Sequence, residues 1–391
     1  MTENQIRAQE LQWIVQDGWD LRQLSSSIGS HAQSGTLGLV VLPYLCFYAV
    51  ESFDWLFRSQ IPKDVGFFAE RNADLRRIRA NLKLFDTDRG GLNGMVERFS
   101  AIEKHSINWF NFHHQGFFKL IKKRFQTDLG FYFANDILIC TTHVGVINAG
   151  LNPANFDPKI IDIFGKMGKE MYEFGIDIGI YLRTITEILE PFCEGKIERI
   201  QIENQTDDLK FMAEDFKSYE VYLKLSKRIG IQDQDTQYAA VITWMISQVN
   251  FIHLILKKIL PKTSDVYFRM SFLTVFHALN GLIKISTVFR HKRNALIVTT
   301  ANEIISAKSS RILRKLDQLR DASAHYYLRD SKDKSRVYGN TLRESTAQFS
   351  RYEIEELDAL IEDCLTRMSA VFGQLIPARS LNAGWGNVHS L

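Results

Sequence analysis

Proline is scarce in this 391-residue chain, which holds 7, and no low-complexity run appears, so long disordered segments are not expected. Cysteine is sparse too. The four thiols, Cys46, Cys140, Cys193 and Cys364, form no CxxC or Cys/His cluster with zinc spacing. They read as reduced, mostly buried groups in a cytoplasmic protein. There is no Walker loop, no GxGxxG after a strand, no HExxH and no paired-carboxylate motif, so no metal and no cofactor is expected. The net charge is only +3, too small to mark a nucleic-acid binder without an uneven distribution. The most apolar run, Leu37 to Val50, contains Pro43 and falls short of the roughly 20 residues of a membrane span. It predicts a buried core helix and no membrane association. Met1 to Gln16 is polar and charged, unlike a secretory signal.

Core-forming residues are plentiful. The hydrophobic fraction is 45%, with 27 Phe, 13 Tyr and 6 Trp, enough for a substantial interior. Helical periodicity dominates, and an all-α fold made of helical bundles is expected. Helices are predicted over 3–29, 37–58, 68–84, 93–125, 130–148 and 157–191, with breaks at Pro62, Asp88–Gly91 and Asn152–Asn155. A polar connector, 196–235, is predicted to carry one helix near 206–228. It separates a helical domain of unassigned role, 1–195, from a second domain, 236–391. In that second domain helices are predicted over 236–260, 264–289 and 302–329. A last helix is predicted to open with a capping box at Ser350–Glu353. Four helices around one basic loop fit an antiparallel four-helix bundle.

One stretch comes closest to naming a chemistry: Leu319-Arg320-Asp321-Ala322-Ser323-Ala324-His325-Tyr326-Tyr327. A phosphodiester being cleaved builds negative charge that a guanidinium can clamp, and a histidine can move protons near neutral pH. From Arg290 to Arg343 there are 13 Lys/Arg and 5 Asp/Glu, a local charge of +8 that suits a phosphate backbone. Candidate RNA contacts are Arg311, Arg314, Lys315, Arg329, Lys332, Lys334 and Arg336. On a continuous helix Asp321, His325 and Arg329 share a face, which would let Asp321 hold the imidazole in one tautomer. Arg320 and His325 are five apart, roughly 140° around an ideal helix, and would diverge. A joint site then needs a partner helix, a kink or a second copy, and a homodimer with a composite site is expected.

Arg320-x4-His325 resembles the signature of the HEPN superfamily, helical-bundle domains found in ribonucleases of toxin–antitoxin, abortive-infection and CRISPR-linked systems. The family pattern is Arg, four to six residues, then His, with a polar residue after the Arg. Asp321 stands in that place, where Asn is commoner. The match extends to His-x-Tyr through Tyr327, as in toxins whose tyrosine is adenylylated by a nucleotidyltransferase antitoxin. The resemblance covers about 235–376. It implies a HEPN-like four-helix bundle and a metal-independent endoribonuclease that leaves 2′,3′-cyclic phosphate. Arg320, His325 and Asp321 would be its catalytic set, and Tyr327 a modification site. It further implies a toxin or antiviral role, RNA as substrate, and an antitoxin or trigger as partner. The alternative is a non-catalytic interaction or scaffold protein with a degenerate domain of this kind.

Other histidines read as structural. Arg98-x6-His105 repeats the spacing without the polar second residue. His143, His253 and His277 lie in apolar helices and predict satisfied core groups. His113-His114, with Trp109, Phe112 and Lys119–Arg124, could form an aromatic-basic surface, but a helix burying its aromatics is the expectation.

Overall fold

The computed structural model describes residues 3–376, apart from 32, 59–65, 81–90, 115–126, 194, 196, 201–205, 207, 232–235, 294, 327–338 and 340. The chain is all-α with one small sheet. The first half contains α1 (Glu3–Ser30), α2 (Ser34–Arg58), α3 (Gly66–Arg79), α4 (Gly91–His113), β1 (Leu129–Ala134), β2 (Ile137–Thr141), α5 (Thr142–Asn148) and α6 (Ile163–Leu189). Then come β3 (Phe211–Phe216), α7 (Ser218–Ile229), α8 (Thr236–Asn250), α9 (Asp265–Val288) and α10 (Leu296–Ser306). The chain closes with α11 (Lys308–Leu313), α12 (Asp317–Ala324), α13 (Thr346–Ser350) and α14 (Ile354–Leu375).

Many predicted helices are present within a few residues, but 206–228 is helical only from Ser218, and 130–148 is not one helix. Its first part is a β-hairpin, β1 paired antiparallel with β2, followed by the short α5. Asn135 and Asp136 make the turn at φ 49° and 63°, the left-handed pair that a two-residue hairpin loop needs. Aromatic and β-branched residues on either side, from Phe131 to Ile139, favour the pleated form over the helix. The connector contributes β3, which adds to β1 and gives the sheet order β2-β1-β3. One continuous cluster of buried side chains runs from Ile6 to Ile376. The expected partition at 195 and 235 therefore does not divide the core.

Helix α2 is buried along most of its length, as the apolar run predicted, but it extends beyond that run to Arg58. By length and composition alone, Ser34–Arg58, Thr236–Ile259 and Asp265–Val288 could each cross a membrane. Here they are the central staves, with 89%, 89% and 61% of their apolar windows buried inside the protein. A π-helical turn, Phe251–Leu256, carries α8 on to Ile259.

The predicted long helix 302–329 is broken. Ala307 (φ −57°, ψ 147°) and Leu316 (φ −92°, ψ 53°) leave helical geometry and split it into α10, α11 and α12. Side chains on α11 are committed to α14, where Ser309 Oγ donates to Asp363 Oδ2 at 2.6 Å. The last helix starts at Ile354 rather than at Ser350. Its capping box is the pair Glu353 and Glu356, while Ser350 Oγ accepts from the Tyr352 amide at 3.1 Å.

Candidate functional site

Helix α12 stops at Ala324, and His325 is extended (φ −142°, ψ 150°). The cause is a buried arginine on α9. Arg269 Nη1 donates to the carbonyls of Ala322 at 2.9 Å and Ser323 at 3.0 Å, two of the acceptors a helix end leaves open. Arg269 is held in turn by Asp17 of α1, Nε to Oδ2 at 2.8 Å, with both side chains almost wholly buried. Tyr326 donates to the same Asp17 oxygen at 2.5 Å, lies under the Arg269 guanidinium at 4.8 Å and meets Tyr48 edge-on. The chain is thus pinned on both sides of His325. Asp20 accepts from Ser264 Oγ at 2.6 Å, and Asp265 accepts from the Leu342 and Arg343 amides at 2.6 and 3.1 Å.

Asp17 and Asp265 share the buried Arg269 guanidinium, and Asp20 lies close to both carboxylates. Burial raises the Asp17 carboxyl against the opposing pull of Arg269. Burial raises Asp20 well above the ordinary range. Burial, with the charge of Asp17 behind it, pushes Asp265 up to about 7.

This local geometry corrects the sequence reading of His325. Its orienting carboxylate is Glu51 of α2, not Asp321: Nδ1 lies 2.8 Å from Glu51 Oε2. Glu51 is buried, and its other oxygen is paired with Arg79 at the end of α3. The imidazole keeps 38% of its side chain exposed, so a charged holder grips a ring that solutes can still reach. Asp321 instead faces its neighbour, with Oδ1 3.0 Å from Arg320 Nε, though the pair is not aligned as a directed hydrogen bond.

Arg320 is a lining residue of one pocket, and His325 follows the lining residue Ala324 in the chain. Arg320 and Ala324 line it from α12, and Phe47 lines it from α2 one turn before Glu51. The Arg79 guanidinium sits 5.5 Å over the Phe47 ring, which joins the Glu51–Arg79 pair to the pocket wall. The helix ends between the two residues, so the roughly 140° divergence of a straight helix does not apply to them. Arg320 keeps 32% of its side chain exposed, and its guanidinium lies 5.7 Å over Phe276.

Of the expected RNA contacts, Arg311 and Lys315 are exposed and Arg314 is half-buried, all on α11 and the turn after it. Arg329, Lys332, Lys334 and Arg336 lie outside the described residues, as does Tyr327. His105 is buried with Nε2 2.9 Å from the Ile161 carbonyl, and His143 is buried between the Asp128 carbonyl and the Tyr222 hydroxyl. Both are structural, as expected. His253 is half-buried against Glu362, whereas His277 departs from the core reading and lines the pocket. Exposed His113 lies tilted against Trp109, ring centroids 4.2 Å apart, and the basic run Lys119–Arg124 is not among the described residues.

Sequence reasoning missed Glu51 and Arg79. The local signal was Glu51 directly after the apolar run Leu37–Val50, since charged groups are rarely buried unless they are paired. Among the described residues no three His, Cys, Asp or Glu side chains are placed to share a metal ion. Compared with protein-family models, with curated proteins and with solved structures, the chain finds no match in any of the three.

Proposed function

We propose that this protein is a metal-independent endoribonuclease whose proton-transfer group is His325 and whose phosphate clamp is Arg320. The observation that carries the reading is the Glu51–His325 pair at 2.8 Å beside the pocket that Arg320 lines. Glu51 fixes Nδ1 as the hydrogen-bearing nitrogen, so the ring nitrogen on the other side of the imidazole serves as base. That nitrogen takes the proton of a ribose 2′-hydroxyl as the 2′-oxygen attacks the adjacent phosphorus. The P–O5′ bond breaks, and the departing 5′-oxygen takes a proton from water or from an imidazolium. The products are a 2′,3′-cyclic phosphate and a 5′-hydroxyl.

Arg320 opposes the charge that accumulates on the non-bridging oxygens, with a planar fork able to hold two of them. Asp321 tempers Arg320 rather than His325. Arg311, Arg314 and Lys315 supply positive charge for the flanking backbone. The HEPN-like bundle, a homodimer, cytoplasmic action, and a toxin or antiviral role with an antitoxin partner belong to the same proposal. They rest on the resemblance of the 320–327 motif. The test is incubation of the full chain with end-labelled RNA in EDTA, followed by analysis of the new termini. Cyclic phosphate and 5′-hydroxyl ends are expected. Intact RNA, or 3′-hydroxyl and 5′-phosphate ends, would overturn the reading.

A further inference from the structure

The pocket beside Arg320 carries more than the cleavage chemistry requires. Apart from His277 and Arg320, every residue that lines it is buried, so those two form its mouth. Inside are the aromatic walls Tyr44, Phe47 and Trp244, and between them the carboxamide of Gln248. Gln248 is 4% exposed, and its Nε2 finds no hydrogen-bond partner among the described residues. A buried amide nitrogen left unpaired is costly, and native structures rarely keep one without a use.

The polarity of this amide is set by its neighbours. Its Oε1 accepts from the Tyr44 hydroxyl at 3.2 Å, and that hydroxyl lies 2.5 Å from Thr274 Oγ1. Thr274 donates to Tyr44, Tyr44 donates to Gln248, and the chain ends on an N–H2 group that can only donate. Burial raises the Tyr44 phenol, which keeps it protonated as the donor in this relay. At the mouth, Arg320 is also a donor with no acceptor capacity. The enclosed space is about 30 Å³, room for an exocyclic edge and not for a whole ring.

We infer that this pocket reads the base next to the scissile phosphate and selects a keto edge, the O4 side of uracil or the O6 side of guanine. The keto oxygen accepts from Gln248 Nε2, while the rest of the base lies against the mouth. Cytosine and adenine present an amino group there, and donor would face donor. The choice of a nucleotide ligand rests on the ribonuclease reading. The choice of a keto edge rests on Gln248 alone.

The experiment titrates the full-length protein with UMP, GMP, CMP and AMP by calorimetry, alongside RNA cleavage in EDTA. UMP and GMP should bind about tenfold more tightly than CMP and AMP, the margin of one satisfied against one unsatisfied buried donor. The UMP and GMP arms tell a pyrimidine site from a purine site, and either preference supports the inference. Gln248→Met should erase the difference while far-UV circular dichroism stays unchanged. If that variant does not fold, Ala278→Leu, which fills the space from α9, should abolish nucleotide binding in its place. Equal binding of all four nucleotides, a preference for CMP and AMP, or no binding would overturn the inference. Cleavage that continues beside such a result leaves the nuclease reading standing. A keto preference without any RNA cleavage keeps the pocket assignment and overturns the nuclease.

Discussion

Replacing Glu51 by glutamine tests the site where the structure departs most from its sequence motif. The substitution keeps shape and volume but removes a charge that serves two partners at once, His325 Nδ1 and Arg79. A carboxylate accepts from both. A carboxamide can accept through only one atom and must point its N–H2 at the other partner. If the oxygen stays with Arg79, the amide donates to His325 Nδ1 and forces the opposite tautomer, placing a hydrogen on the nitrogen that must take the 2′-hydroxyl proton. If the oxygen turns to His325, the amide hydrogens face the Arg79 guanidinium. The first arrangement is favoured because Arg79 is charged and its side chain is only 16% exposed. Loss of general-base catalysis should lower single-turnover cleavage by about 10²- to 10⁴-fold. Stability should fall by about 3 kcal/mol, the lower end for breaking a buried pair, because Arg79 keeps the Phe47 ring beneath it. Cleavage of a fluorogenic RNA, read with the melting curve of the same sample, separates the two effects. A folded Glu51→Gln protein that cleaves at the wild-type rate would refute the reasoning.

Arg320→Lys keeps the charge but loses the planar fork, and should reduce cleavage by about 10²-fold or more at saturating RNA; near-normal turnover would remove the clamp from the mechanism. Arg269→Met leaves Asp17 without its cation and the end of α12 without its donor. It should cost about 3 kcal/mol in denaturant titration and impair cleavage, although Arg269 is not a pocket-lining residue. Stability should also depend on His143, whose imidazole burial holds down to about 4, below its ordinary 6.5. The unfolded chain binds that proton more readily, so the contribution is full above about pH 6.5 and is lost as pH falls towards 4. Thermal melts across that range should show His143→Gln less sensitive to acid than the wild type. An unchanged slope would contradict the buried neutral state.

The helical class, most helix positions and the burial of α2 were legible because 3.6-residue periodicity is a local property of the chain. The hairpin at 129–141 was missed although Asn135-Asp136 between two aromatic and β-branched runs is a turn signal. An apolar segment that short has no periodicity with which to tell strand from helix. The end of α12 could not be read, because its cause, Arg269, lies 53 residues from Ala322 and acts through space. For the same reason the motif could not show that Asp321 sits against Arg320 rather than His325. The acid that holds the imidazole is Glu51, 274 residues away. His277 read as a core histidine of an apolar helix, and nothing in the sequence singled out Gln248. Only the packing of α8 against α9, with Tyr44 between them, makes their polar atoms face a common space.

The central claim is that His325 moves the proton that opens the phosphodiester, and its most direct measurement compares wild type with His325→Ala on one labelled RNA in EDTA. The wild type should produce fragments ending in 2′,3′-cyclic phosphate. The variant should leave the RNA intact, with far-UV circular dichroism and the melting profile showing the same helical fold. Undiminished cleavage by a folded His325→Ala protein would contradict the account.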